Sequence, residues 1–220
     1  MAPGLYGAPT PFPAGQPAHP LDYWTSPELA RVSPPTAPSR LRQLADAQGT
    51  LAAAWSSAIG SGPLLLLTGG FVSAMSGSPA WVLILGLLGV ALTVLGLVSW
   101  NRVRGTLPNT NRLLIVRGPG SARGGVMMVS VLAIIVGGIL ATASPGIASR
   151  GTATVVTVSG AYVLFVALLA AFILIPSVVL GRARQSFRRR IQTDPGLRTA
   201  VEGDLAIWRD PHGNAGYGPL

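Results

Sequence analysis

The side chains that ordinarily carry chemistry are few in this sequence and badly spaced for it. His19 and His212 stand near opposite ends with no third or fourth ligand at zinc-like spacing. Neither falls in an apolar stretch where an axial haem ligand would have to sit. Asp46, Asp194, Glu202, Asp204 and Asp210 are too scattered to form an acid/base pair, and there is no nucleophile elbow, phosphate loop or dinucleotide fingerprint in a strand-to-helix context. Cysteine is absent, which excludes disulfides, thiolate metal sites, thioether-linked haem and a lipidated cysteine. The expectation is a non-enzyme with no catalytic residue, no metal site and no cofactor of its own.

The elements that would have to position any such residues explain the shortage. All 23 charged side chains, 16 basic and 7 acidic, lie outside four apolar stretches at Ala52 to Met75, Trp81 to Trp100, Val126 to Ala143 and Thr152 to Leu180. A hydrocarbon core about 30 Å thick needs roughly 20 apolar residues in a helix, so these stretches are membrane spans. Proton relays, ion sites and voltage sensors need ionisable groups at membrane depth. No Asp, Glu, His, Lys or Arg is present there, which argues against an active proton or cation transporter. Hydroxyls such as those of Ser56, Ser61, Thr68, Thr93 and Tyr162 remain, and they should bond to backbone carbonyls or to a neighbouring helix.

Loop arginines predict the sidedness. Arg40 and Arg42 precede the first span, Arg102, Arg104, Arg112, Arg117 and Arg123 separate the second from the third, and Arg182, Arg184, Arg188, Arg189 and Arg190 follow the fourth. The opposite face has only Arg150. Positive residues near span ends stay cytoplasmic, so both termini and the middle loop are expected inside a plasma (inner) membrane. The fold class is therefore an all-α membrane protein. It has two transmembrane hairpins, an extended proline-rich N-terminal tail and a short amphipathic C-terminal helix. The segments run 1–39 (proline-rich tail), 40–100 (first hairpin), 101–125 (basic loop), 126–181 (second hairpin) and 182–220 (basic, partly helical tail). Ser76 to Pro79 and Ser144 to Gly146 are the expected outer turns. Trp55, Trp81 and Trp100 sit near span ends as interfacial anchors. Pro63 and Pro176 are expected to kink the first and fourth spans.

Outside the spans, residues 1–39 contain ten prolines together with Tyr6, Phe12, Tyr23 and Trp24. Such a stretch should be extended or polyproline-like, and neither tail has enough periodic apolar sequence to build a core alone. In the middle loop, Arg112 to Arg117 encloses a short apolar run suited to an interfacial segment or to a strand against a partner. Phe187 and Ile191 lie four apart among arginines, as in a helix at the membrane surface. The cluster Arg182, Arg184, Arg188, Arg189 and Arg190 would attract anionic lipid headgroups. Asp194-Pro195-Gly196 makes a turn. Beyond it, Leu197, Val201, Leu205 and Trp208 form one apolar helix face, ready to dock on lipid or protein. These four and the leader aromatics Tyr6, Phe12, Tyr23 and Trp24 are the candidate partner contacts.

Within the spans, Ser56 and Gly60, Gly89 and Thr93, Gly137 and Ala141, and Gly138 and Thr142 are each four apart, a spacing that lets helix backbones approach closely. The stripes serve packing within the bundle or contact with another membrane subunit. Three functional classes fit: an accessory subunit of a larger membrane complex, a small permeation module for a neutral or apolar solute, and a membrane-anchored cytoplasmic scaffold or regulator. The formal charge of +9 would suggest nucleic acid in a soluble chain. Here the arginines flank spans and no nucleic-acid partner is expected.

All the basic residues are arginine, and alanine and glycine abound, a bias that suggests a GC-rich, actinobacterial genome. The Pro-Gly-aromatic leader (Pro3-Gly4-Leu5-Tyr6-Gly7 through Pro20-Leu21-Asp22-Tyr23-Trp24), the all-arginine basic set and the four short-looped spans resemble small proline-rich actinobacterial membrane proteins. Among these, the chain is similar in layout to the proline-rich accessory subunits of mycobacterial cytochrome bcc-oxidase supercomplexes. That resemblance implies stabilising or positioning of catalytic subunits that carry the haems and copper, with no redox centre in this chain.

Overall fold

The computed structural model describes residues 19–34, 37–108, 120–208 and 216–220. The described residues are overwhelmingly helical and contain no strand; Ser39 and Gly216 form an isolated parallel bridge. Two short helices, α1 (Leu21–Trp24) and α2 (Pro27–Val32), lead into the first span, α3 (Arg40–Ser76). The second span is α4 (Ala80–Gly105) and the third α5 (Ala122–Ala148). The fourth consists of α6 (Thr152–Leu169), a π-helical turn (Ala170–Leu174) and α7 (Ile175–Gly181). Then come α8 (Ala183–Thr193) and α9 (Pro195–Ile207). Four of these helical stretches are long and apolar enough to cross a membrane, which makes this a multi-pass membrane protein.

Helix α3 is about 55 Å long at 1.5 Å per residue, far more than a hydrocarbon core of about 30 Å requires. Its first turns therefore project beyond the bilayer, capped by Ser39, whose Oγ accepts from the Arg42 amide at 3.2 Å. It ends at Gly77, whose φ of 69° is a left-handed conformation that favours glycine. The turn to α4 is closed by the Val82 amide donating to Ser73 Oγ at 2.9 Å.

Backbone proximity holds the first hairpin together. A Cβ at Gly69 would lie 2.9 Å from the Trp81 carbonyl oxygen, and one at Gly96 would lie 2.8 Å from Ile59. Gly62 and Gly89 face each other so closely that a Cβ on either would collide with the other's carbonyl. In α3 the pair Gly62 and Gly69, and in α4 the pair Gly89 and Gly96, are seven apart, the repeat that keeps one seam facing a partner helix. The four-residue spacing of Gly89 and Thr93 belongs to the same seam, with Thr93 Oγ1 donating to the Gly89 carbonyl at 2.9 Å.

The other face of α3 receives the second hairpin. Gly60 meets Ile175 and Ala171, and Phe71 lies over Gly160. Between α5 and the fourth span, Tyr162 donates to the Ala133 carbonyl at 3.0 Å, and Gly125 packs on Ser177. Pro176 lacks an amide, and its ring crowds the carbonyl four residues back, so the preceding turn widens: the Ile175 amide bonds to Ala170, five residues back. Where a kink is expected at Pro176, the chain has this π turn. Pro63 lies within the continuous helix α3.

Two expectations about local structure are corrected. The outer turn of the second hairpin is not at Ser144 to Gly146; α5 continues through Pro145 to Ala148, and the chain reverses at Ser149 to Gly151. Proline's fixed φ suits a helical turn, and the residue that permits the reversal is Gly151, at φ 101°. Within the proline-rich segment, Leu21–Trp24 and Pro27–Val32 are helical instead of extended. Ser26 caps α2 by accepting from the Leu29 amide at 3.2 Å, with Pro27 in the first turn, where its missing amide costs nothing.

Candidate functional site

The most elaborate part of the molecule is the arginine-bearing end of the bundle. Leu21, Leu41, Leu44, Ala45, Phe187, Ile191, Leu197, Val201, Leu205, Tyr217 and Leu220 form one buried core there. Helix periodicity explains each contribution. Leu41, Leu44, Ala45 and Gln48 make a stripe on α3, Phe187 and Ile191 on α8, and Leu197, Val201 and Leu205 on α9. Asp194 starts α9, its Oδ1 accepting from the amides of Gly196 at 3.0 Å and Leu197 at 3.2 Å. The final residues cross this core: the Arg40 and Leu41 amides donate to the carbonyls of Gly216 and Tyr217, and the Leu220 amide donates to Trp24. Segments that cannot each build a core build one together.

This arrangement revises the reading of the candidate contacts. Leu197, Val201 and Leu205 are 2%, 0% and 8% exposed, so the chain itself covers the face expected to dock on lipid or protein. Trp208 is half-buried and packs edge-on against Tyr217 with centroids 5.8 Å apart. Phe187 and Ile191 face this core instead of a membrane surface. Trp24 is half-buried beside Gly218, while Tyr23 is exposed and stacks on His19 at 4.1 Å. Tyr6 and Phe12, His212, and the Arg112 to Arg117 run lie outside the described residues.

Polar contacts tie the same end together. Arg40 pairs with Asp204 through two bonds of 2.8 and 3.1 Å. Buried Arg42 donates to the carbonyls of Pro34 at 2.6 Å and Ala37 at 2.7 Å, on the approach to α3. Tyr217 donates to the Val201 carbonyl at 2.9 Å and lies 3.3 Å from Asp204 Oδ2. Burial, followed by the negative charge of Asp204, pushes its phenol well above the usual tyrosine range.

Of the five arginines expected at lipid headgroups, three are engaged within the chain. Arg184 forms a two-bond pair with Asp46 at 2.7 and 2.9 Å, and that hydrogen bond raises its already high pKa. Arg188 donates to the Leu220 main-chain oxygen at 2.6 Å, and Arg190 to Gln48 Oε1 at 3.1 Å. Arg182 and Arg189 are exposed. Trp81 is 45% exposed at its span end, and Trp55 and Trp100 are half-buried.

Gln48 belongs to no motif in the sequence, yet it is central to this end of the bundle. It is 4% exposed, and its amide donates to the carbonyls of Val103 at 2.9 Å and Thr106 at 3.3 Å, satisfying acceptors at the end of α4. The available signal was its position, three residues after Ala45 on the same buried stripe. Beside it opens a cavity of about 480 Å³ between α3, α4, α7 and α8. Ala52, Trp100, Val103, Val178 and Val179 give it an apolar wall, while Arg182, Arg189 and Arg190 bring positive charge. Among the described lining residues there is no carboxylate. Among the described residues, no three histidine, aspartate or glutamate side chains come together as a metal site would need.

No family model, curated protein or solved structure matches this chain.

Proposed function

We propose that this protein is a non-catalytic accessory subunit of a larger bacterial membrane complex, with a respiratory electron-transfer supercomplex as the specific assignment. It would lie in the plasma membrane with both termini and the α4–α5 connection cytoplasmic, an orientation supported by the arginine asymmetry across the spans.

The observation that carries this reading is the uneven use of small residues. In the first hairpin, Gly62, Gly69, Gly89 and Gly96 are filled by the facing helix. On α5, a Cβ at Gly138 would meet nothing within 4 Å. Its surroundings are open too: Val131, Ile135 and Thr142, on the same face, are all exposed. In lipid, close helix association depends on packing at small residues, so an open stripe of this kind suits a helix from another subunit. The uncharged spans and the resemblance in layout to respiratory accessory subunits point the same way.

Purification of the tagged full chain in mild detergent, followed by mass spectrometry and reduced-minus-oxidised spectra, tests the assignment. The expected result is stoichiometric recovery with haem-bearing subunits, lost in Gly138→Leu. Recovery of a monodisperse single chain, or solute flux in liposomes containing this chain alone, would overturn it in favour of a permeation module.

A further inference from the structure

We propose that the cavity between α3, α4, α7 and α8 is a binding site for one anionic glycerophospholipid. The headgroup phosphate would be held by Arg182 and Arg189, and the first methylenes of its chains would lie against Ala52, Trp100 and Val103.

The cavity has two chemical zones in the order that a bilayer presents them. Its apolar wall is built from the last residues of spans α4 and α7 and from Ala52 on α3, at the ends of the apolar stretches. Its cationic side is on α8 and the residue before it, immediately beyond the fourth span. Trp100, at the end of an uncharged stretch, marks the headgroup depth that indoles prefer. A soluble anion would use only the cationic zone, and a zwitterionic lipid would bring a choline cation against Arg182, Arg189 and Arg190. An anionic amphiphile uses both.

The local charges support the choice of headgroup. Asp46, the carboxylate on the adjoining stretch of α3, is occupied by Arg184 in a two-bond pair. Arg190 is oriented by Gln48, which is itself anchored to the end of α4. Arg182 and Arg189 are exposed beside a cavity whose described lining carries positive charge and no negative charge. A volume of about 480 Å³ is that of a small-molecule pocket, enough for a phosphoglycerol headgroup and the start of its chains but not for two whole acyl tails. The tails would continue along the exposed apolar faces of the spans. The inference requires only that the chain is embedded in a bilayer and does not depend on the proposed complex.

Native mass spectrometry of the full chain in a neutral detergent provides the test, with phosphatidylglycerol, phosphatidylcholine of the same acyl chains, and glycerol 3-phosphate as probes. One phosphatidylglycerol should be retained per chain, with phosphatidylcholine and glycerol 3-phosphate each at least tenfold weaker. The double substitution R182Q/R189Q, at exposed positions, should weaken phosphatidylglycerol roughly 25-fold, from about fivefold per near-surface arginine. R31Q/R150Q removes the same charge elsewhere and should leave binding unchanged. Ala52→Phe, which fills the apolar wall without altering charge, should weaken phosphatidylglycerol by tenfold or more and leave glycerol 3-phosphate unaffected. Equal retention of phosphatidylcholine, equal loss in both arginine pairs, or binding of glycerol 3-phosphate as tight as that of the lipid would each overturn the proposal.

Discussion

Arg40 in the first turn of α3 and Asp204 in α9 form a two-bond ion pair between residues 164 positions apart, with about four-fifths of each side chain removed from solvent. The pair joins the start of the first span to the last described helix and places Asp204 beside the Tyr217 phenol. It is the polar counterpart of the apolar core that fastens both ends of the chain to one end of the bundle.

Removing one partner takes away two charged hydrogen bonds at a largely buried position. Asp204→Ala is expected to destabilise the terminal core by about 2 kcal/mol, the scale of a charged hydrogen bond. Hydrogen exchange should show faster opening of α9 while the α3–α4 seam stays protected. Arg40→Ala combined with Asp204→Ala should cost less than the sum of the single changes, since each alone already removes the two-bond pair.

Tyr217 makes this end sensitive to alkali. Its folded pKa is raised above the unfolded value of about 10, so the neutral phenol is the form the folded chain favours. Its contribution is full below pH 10 and declines as pH rises past 10 towards the folded pKa, because the unfolded state ionises first. Thermal melts in detergent from pH 8 to 11 should show Tyr217→Phe losing about 1 kcal/mol at pH 8, the hydrogen bond to Val201, with a flatter alkaline decline.

The glycine seam and the open glycine should respond oppositely to the same change. Gly62→Val has to displace the Gly89 carbonyl and is expected to cost 3 kcal/mol or more, on the order of a severe overpacking change. Gly138→Val meets nothing within 4 Å and should leave the melting temperature of the isolated chain within a few degrees. Detergent melts of the two variants check this directly, and a large loss in Gly138→Val would show that the α5 stripe is already filled.

Phe187 is 1% exposed at the centre of the terminal core. Phe187→Ala should cost roughly 3–5 kcal/mol through the cavity it leaves. Limited proteolysis is expected to release fragments from α8 and α9 while the four spans remain intact, because span helices satisfy their backbone groups internally.

Much of the architecture is written in local sequence. Hydrocarbon demands uncharged helices of a minimum length, and both properties can be read without knowing any neighbour. That is why Trp81 to Trp100 and Val126 to Ala143 fall inside observed helices, and why Ser76 to Pro79 marks an observed turn. Periodicity identified the apolar face of Leu197, Val201 and Leu205 for the same reason. It cannot say what covers a face. The answer is residues such as Leu21, Leu41, Phe187 and Leu220, which share one core although they lie far apart in the chain.

The candidate site was legible to the same depth. The arginines from Arg182 to Arg190 announce a cationic band, but identical side chains in that band have different duties. Arg184 is consumed by Asp46, Arg188 by Leu220 and Arg190 by Gln48, while Arg182 and Arg189 stand exposed at a cavity. Composition and spacing determined that the chain spans a bilayer and that its four apolar stretches carry no charged residue, since both follow from solvation of individual residues. Tertiary structure decided which glycines are filled, which arginines are occupied and that the two ends share a core, because each depends on distances between residues far apart in the chain.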